Sequence, residues 1–330
     1  MAGGVRHESF AQPFYVDPSR FVGEINIIMW PIGAPLGGIV HRPVRLIKRR
    51  RVIRDLAGLP AVLGQFGSFE VRLAATKREI RMAQRLRYQV FYEEGGATPQ
   101  QGAALIRRDI CPFDAFCDHL LVIDKEARNR FGRIKPKVVG AYRLLRGDVA
   151  AQGPGFYSQR EFEIGPMLAR HADKRFLELG RSCVHAKYRS KRVIELLWRG
   201  LWIYAKHHRI DVLIGCASLP GVNPLALALP LSFLHYEAAA SEEWSVRPCA
   251  ARVEMAILDK AAVDPRKGIA ALPPLLKGYL RVGARFGDGA VIDAQFGTTD
   301  VFTIMPLADI EQRYINYYSG PMEMPDKLVA

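Results

Sequence analysis

The chain has 330 residues, 49% of them hydrophobic, enough for one large or two modest domains with a real core. Lys and Arg number 47 against 33 acidic residues, a net charge of +14 that points to anionic partners: nucleic acid, an acidic protein or an anionic membrane surface. The five cysteines, Cys111, Cys117, Cys183, Cys216 and Cys249, form no CxxC pair, which argues against a disulfide framework or structural zinc and for a reducing cytosol.

Residues 1–68 read as a Gly- and Pro-rich N-terminal extension. Its apolar run FVGEINIIMWPIGAPLGGIV is broken by Glu24, two prolines and four glycines, so neither a spanning helix nor a signal peptide is expected. Seven basic residues between Arg42 and Arg54 suit either a solvated linker or docking on anionic lipid headgroups. The organised domain is expected over 69–310, with a tail over 311–330.

FEVRLAATKREIRMAQRLRYQVFYEEGGA reads as a strand followed by a helix. Thr76 and Glu79 form a capping box, Ile80, Ala83, Leu86 and Val90 recur at helical spacing, and Gly95-Gly96 stops the helix. HLLVIDKE and VVGAYRLLRG read as an antiparallel strand pair. LELGRSCVH, SKRVIELLWRGLWIYAKHH and DVLIGCASL then read as a β-α-β unit. The order predicts an α/β (α+β) chain with a mixed sheet and helices on both faces; the pattern leaves strand order open.

The segments LRYQVFYEEGG, FDAFCDHLLV, VVGAYRLLRG, EFEIGPM, LELGRSCVHAKYR and LLWRGLWIY, in this order, resemble the bacterial L-ornithine N-alpha-acyltransferases of ornithine-lipid synthesis. These are relatives of the N-acyl-homoserine lactone synthases within the GNAT acyltransferase fold. The likeness continues through LPPLLKGYLRVGARFGDGAVIDAQFGTTDV. The lactone-synthase signature maps onto Arg87, Phe91, Asp114, Arg143, Glu178 and Arg181. It departs at Ala97, where a tryptophan is expected, and at Cys111, where the first residue of an acidic pair falls; both departures suit the lipid branch.

The resemblance implies a direct transfer of a 3-hydroxyacyl chain from an acyl carrier protein to the α-amine of L-ornithine. No metal or permanently bound cofactor is implied; the donor carries its own 4'-phosphopantetheine. The strand holding Cys183 and Val184 is expected to splay from the one holding Ile214 to Ser218, leaving a slot for the pantetheine arm. The loop ahead of the next helix lacks the glycines of coenzyme A users, so Arg189, Lys191 and Arg192 are expected to hold a single phosphate through side chains. A basic protein would also attract an acidic carrier protein.

An amino acid acceptor needs an Arg for its carboxylate and a carboxylate for its ammonium. Arg143 and Arg181 are candidates for the first role, and Asp114, Asp118 and Glu163 for the second, with Arg87 and Phe91 completing the substrate site. Glu178 is the candidate general base, with bracing of the sheet as the competing reading, and His119 is either a proton carrier or a core histidine. The resulting expectation is a cytoplasmic acyltransferase on the inner membrane face, with no nucleic acid partner. Another amine acceptor, lactone formation from S-adenosylmethionine, or a non-enzymatic basic binding module are the alternatives.

Overall fold

The computed structural model describes residues 58–99, 101–249 and 251–319. The basic run from Arg42 to Arg54, and with it the expected lipid contact, lies outside the described residues. Eight strands form one sheet: β1 (Gly64–Phe66), β2 (Phe69–Leu73), β3 (Asp118–Asp124), β4 (Lys137–Arg146), β5 (Phe176–Val184), β6 (Val212–Pro220), β7 (Arg285–Asp293) and β8 (Thr298–Pro306). Their order is β1-β2-β3-β4-β5-β6-β8-β7. Edge strand β1 lies inside the stretch read as extension, and pairs Gly64 with Val71 of β2.

The helices are α1 (Lys77–Tyr88), α2 (Gln101–Ile106), α3 (Gly147–Ala150), α4 (Gly165–Arg170), α5 (Lys191–His207), α6 (Ala228–Glu237), α7 (Pro265–Ala271), α8 (Pro274–Arg281) and α9 (Gln312–Ser319). None among the described residues is long and apolar enough to cross a membrane. The capping box expected at Thr76 and Glu79 forms, and starts α1. The helix does not run on to Gly95 as a regular α-helix. After Tyr88 it widens into a π-helical segment, Gln89–Glu94, a distortion that is common next to functional sites.

Strand β3 shows why helices cover both faces. Leu120 and Val122 pack with Val193, Leu197 and Leu201 of α5, while Leu121 and Ile123 pack with Ala83 and Leu86 of α1. All seven residues of β3 are buried, as a strand covered on both faces must be. Each Leu or Val buried this way contributes about 1.5–3 kcal/mol, so the sheet centre is the stable platform. On the far half, Val301 and Met305 of β8 join the cluster that contains Leu276 and Tyr279 of α8, and Phe302 and Ile304 join Phe162 and Met167.

β5 and β6 are the parallel strands joined through α5. Their register covers Phe176↔Val212, Leu177↔Leu213 and Glu178↔Ile214, although each strand continues for six more residues. Beyond that point β6 stays paired with β8 to Pro220, while β5 stays with β4. The two halves of the sheet therefore part like an opened zip. Gly215 sits at the parting point, where a Cβ would meet the Leu179 carbonyl oxygen at 2.4 Å.

Candidate active site

The parted strands border a cavity of about 500 Å³. One wall is Glu178 to Ser182 of β5 and the other is Cys216 to Ser218 of β6; Val90, Phe91 and Glu94 of the π-helical segment form part of the rim. Tyr142, Leu275 and Tyr279 line it on one side of the sheet, and Tyr157, Ser158, Asp293 and Asp300 also contribute.

β5 is irregular where it borders the cavity. Arg143 opposes Gly180 and Ala141 opposes Cys183, so Tyr142 alone faces both Arg181 and Ser182. This is a β-bulge, and Arg181 takes the left-handed conformation within it, at φ 52°. Such a conformation is unfavourable for a non-glycine residue and is kept where it aims a side chain. Here it turns the Arg181 guanidinium between two rings, 5.2 Å from the centre of Tyr157 and 4.5 Å from that of Phe296.

Arg181 has weak company for a buried cation. Its Nε lies 3.4 Å from Asp109 Oδ2 and makes no hydrogen bond. Arg143 resembles it: its guanidinium crosses Gly180, where a Cβ would sit 3.4 Å from Nη2, and its buried Nη1 lies 3.6 Å from Asp114 Oδ1 without a hydrogen bond. Both arginines line the cavity, and two guanidinium groups so placed can receive a carboxylate.

Glu178 is buried and lines the cavity, yet its carboxylate is heavily engaged. Oε1 accepts from the Ser158 N–H at 2.7 Å and the Ser158 hydroxyl at 2.6 Å, and Oε2 accepts from the Tyr157 N–H at 2.7 Å. Burial raises its pKa against those hydrogen bonds and the nearby Arg143 charge. The carboxylate anchors the 3-10 turn Tyr157–Arg160 to β5 and keeps one acceptor position open on Oε2.

Three other carboxylates converge beside the cavity. Oxygens of Glu161, Asp293 and Asp300 lie within 4.8 Å of one another. Burial and the neighbouring Asp300 raise Glu161 to about 7, and its Oε2 is buried without a hydrogen-bond partner. Asp300, raised by burial, accepts from the Thr298 hydroxyl at 2.8 Å, and Asp293 accepts from the N–H groups of Gln295 and Phe296. The trio can hold a cation, either a metal ion or an ammonium group.

The other expected site residues distribute unevenly. Phe91 reaches the cavity. Glu163 is exposed and does not line it; Glu161, two residues earlier, is half-buried and meets the lining residues Asp293 and Asp300 without lining the cavity itself. Arg87 and Asp114 form a buried pair, with Nη1 and Nη2 donating to the two carboxylate oxygens at 2.9 and 2.8 Å. Burial alone would raise Asp114, but Arg87, with Arg143 behind it, holds the carboxyl well below its usual range. Asp109, two residues before Cys111, completes this network by pairing with Arg87 Nε at 2.7 Å.

Asp118 accepts from the Tyr204 hydroxyl at 2.6 Å and does not line the cavity. Burial pushes His119 down to about 4; its Nε2 lies 3.1 Å from the Asp114 carbonyl oxygen, which makes it a neutral core histidine. Cys183 is buried beneath α1 and pushed by burial to about 12, and Val184 packs against the α5 side; the slot is walled one turn of strand earlier. Arg189 binds Glu94 at the rim at 2.6 Å, while Lys191 lies 3.9 Å from Glu195 and Arg192 stacks on Phe66 at 4.5 Å.

The acetyltransferase (GNAT) domain family matches residues 86–199. The L-ornithine N(alpha)-acyltransferase of Rhizobium meliloti (strain 1021) is 50% identical over 272 residues, covering 81% of this chain and 90% of that protein. The chain belongs to the L-ornithine N(alpha)-acyltransferase family. The family member of Agrobacterium fabrum is 48% identical, covering 86% of this chain and 96% of its own, and that of Brucella abortus is 48% identical, covering 78% and 92%. As a member of this acyltransferase family with a GNAT domain, the protein is an N-acyltransferase, as the ordered motifs implied.

Proposed function

We propose that the protein transfers a 3-hydroxyacyl chain from the phosphopantetheine thioester of an acyl carrier protein to the α-amine of L-ornithine, giving lyso-ornithine lipid. The observation that carries this reading is the opening between β5 and β6, flanked by the guanidinium groups of Arg143 and Arg181 and by an acidic trio. Ornithine has a carboxylate at one end and a cationic amine at the other, and the cavity offers the complement of each.

In this reading Arg181 and Arg143 grip the acceptor carboxylate, and Glu161, Asp293 and Asp300 receive its side-chain ammonium. Holding that amine charged makes it non-nucleophilic, which leaves the α-amine to attack. The α-amine loses its proton to the open Oε2 position of Glu178, directly or through a water. The neutral nitrogen adds to the thioester carbon, backbone N–H groups at the bulge of β5 stabilise the oxyanion, and collapse breaks the C–S bond while the extra proton on the nitrogen passes to the departing thiolate, giving amide and free thiol. All steps are positioning, proton transfer and charge stabilisation by this chain's own groups, and no resident cofactor is required.

The donor arm enters at the N-terminal end of α5. That end carries Lys191 and no acidic residue in its first turn, an arrangement that opposes the helix dipole unless an anion compensates it. Arg189, Lys191 and Arg192 there suit the single phosphate of the arm, and the positive net charge suits an acidic carrier protein. We place the enzyme at the cytoplasmic face of the inner membrane, on the strength of the basic run from Arg42 to Arg54 and of its lipid product.

The test is free-thiol release by the purified full chain from 3-hydroxyacyl carrier protein in the presence of a panel of amino acids. Release that depends on L-ornithine supports the reading. Equal release with every amino acid, or none with ornithine, removes it.

A further inference from the structure

Thr303 of β8 is 5% exposed, and its hydroxyl is buried with no hydrogen-bond partner. A buried hydroxyl without a partner is unfavourable, and a valine would fill the same shape without that loss. The residue lies opposite Gly215, one step beyond the last β5-β6 pair. Beside it is a small recess of about 10 Å³, lined by Leu179, Gly215, Cys216, Tyr279 and Met305. That is room for a single oxygen.

Leu179, Cys216 and Tyr279 line both this recess and the main cavity, so the recess is a side chamber of the cavity at the parting of the strands. Apart from Thr303 and the Tyr279 hydroxyl its side chains are apolar or thiol, and the Tyr279 hydroxyl is committed to that of Tyr142 at 2.5 Å. Tyr279, which the recess shares with the cavity, and Leu275 beside it give the cavity an apolar wall suited to an acyl chain.

We propose that Thr303 and this recess form a subsite for a hydroxyl group borne by the acyl chain near the thioester. The subsite sets the preference for a hydroxylated over an unsubstituted donor, and it rests on the acyl-transfer reading above. A hydroxyl on the chain fills the recess and exchanges a hydrogen bond with Thr303 Oγ1. An unsubstituted chain leaves both the recess and the threonine empty-handed, so it is disfavoured through loss of one buried hydrogen bond. Because Thr303 is fixed on a strand, one enantiomer of the donor fits better than the other.

The experiment compares kcat/KM for 3-hydroxyhexadecanoyl and hexadecanoyl carrier protein, with both hydroxyl enantiomers, in wild type, T303V and T303S. Wild type should favour one hydroxylated enantiomer by about tenfold or more. T303V should bring all three donors to within about a factor of two or three, and T303S should retain the preference. Equal use of the three donors by wild type overturns the subsite without reference to any variant. An unchanged preference in folded T303V overturns it as well, and assigns the recess to a buried water. Absence of ornithine acylation by wild type with any donor is the separate failure of the acyl-transfer reading.

Discussion

Glu178 on β5 and Ile214 on β6 are the last residues at which the two central strands stay in register, and the cavity opens immediately beyond them. Everything asked of the site follows from that parting. Ser218 is exposed on the β6 wall, so a large side chain there obstructs the opening without disturbing the core. S218W should lower acyl transfer by roughly 10²-fold through displaced reactants, while the melting temperature moves by only a few degrees. Normal turnover in S218W would mean that the donor arm lies elsewhere.

Arg181 borders the cavity with Asp109, at 3.4 Å, as a carboxylate neighbour that makes no hydrogen bond to its Nε. R181M should weaken ornithine use by about 10- to 100-fold, the worth of a hydrogen-bonded charge pair. The same change should have little effect on 1,4-diaminobutane, which lacks the carboxylate. Kinetics with the two acceptors check this directly. A parallel loss with both would place Arg181 in the framework of the bulge and not in carboxylate recognition.

Glu161 links stability to pH. Its pKa rises from 4.5 in the unfolded chain to about 7 in the folded one, so the folded protein holds the proton longer. Stability is therefore highest below the unfolded value and falls as pH climbs from 4.5 towards 7, by roughly 3 kcal/mol from this group. Denaturant titrations from pH 4 to 8 should show that decline in wild type and a shallower one in E161Q. Ornithine should stabilise wild type more at pH 8 than at pH 5, because the ionised trio binds the ammonium.

Glu178 has two possible duties, and pH separates them. As proton acceptor it gives an acid limb to kcat at saturating ornithine, set above the ordinary glutamate range by burial. E178Q should remove that limb and reduce turnover by about 10²-fold or more, whereas E161Q should leave the limb in place. If folded E178Q keeps the limb, Glu178 only fastens the turn Tyr157–Arg160 to the sheet.

The Arg87 and Asp114 pair lies outside the cavity and should act on stability. D114A leaves the buried Arg87 guanidinium with Asp109 in place of two carboxylate partners, and should cost about 3 kcal/mol. The folded fraction should keep a near-normal KM for ornithine. A large KM change in fully folded D114A would return Asp114 to the acceptor site.

The sequence announces what is local. Thr76 and Glu79 are three residues apart and cap α1 by themselves, and the β-α-β run around α5 follows from apolar spacing. The acidic trio is not legible in the same way, because Asp293 and Asp300 flank the β7-β8 turn and meet Glu161 only through the sheet order. Glu161 and Glu163 look equivalent in EFEIGPM, and only the backbone path decides which one turns inward. Likewise a carboxylate near Arg87 can serve substrate or core. The bidentate pair, sealed from solvent, is what distinguishes them.

The proposed acyl transfer requires the gap between β5 and β6 to receive the thioester arm. A crystal structure of the full chain with a non-hydrolysable S-acyl pantetheine phosphate analogue tests it most directly. The arm should lie between Gly180 to Ser182 and Cys216 to Ser218, with its acyl group on the Tyr279 side of the sheet. An analogue bound elsewhere, with this gap filled by protein or closed by β5-β6 hydrogen bonds past Ile214, would contradict it.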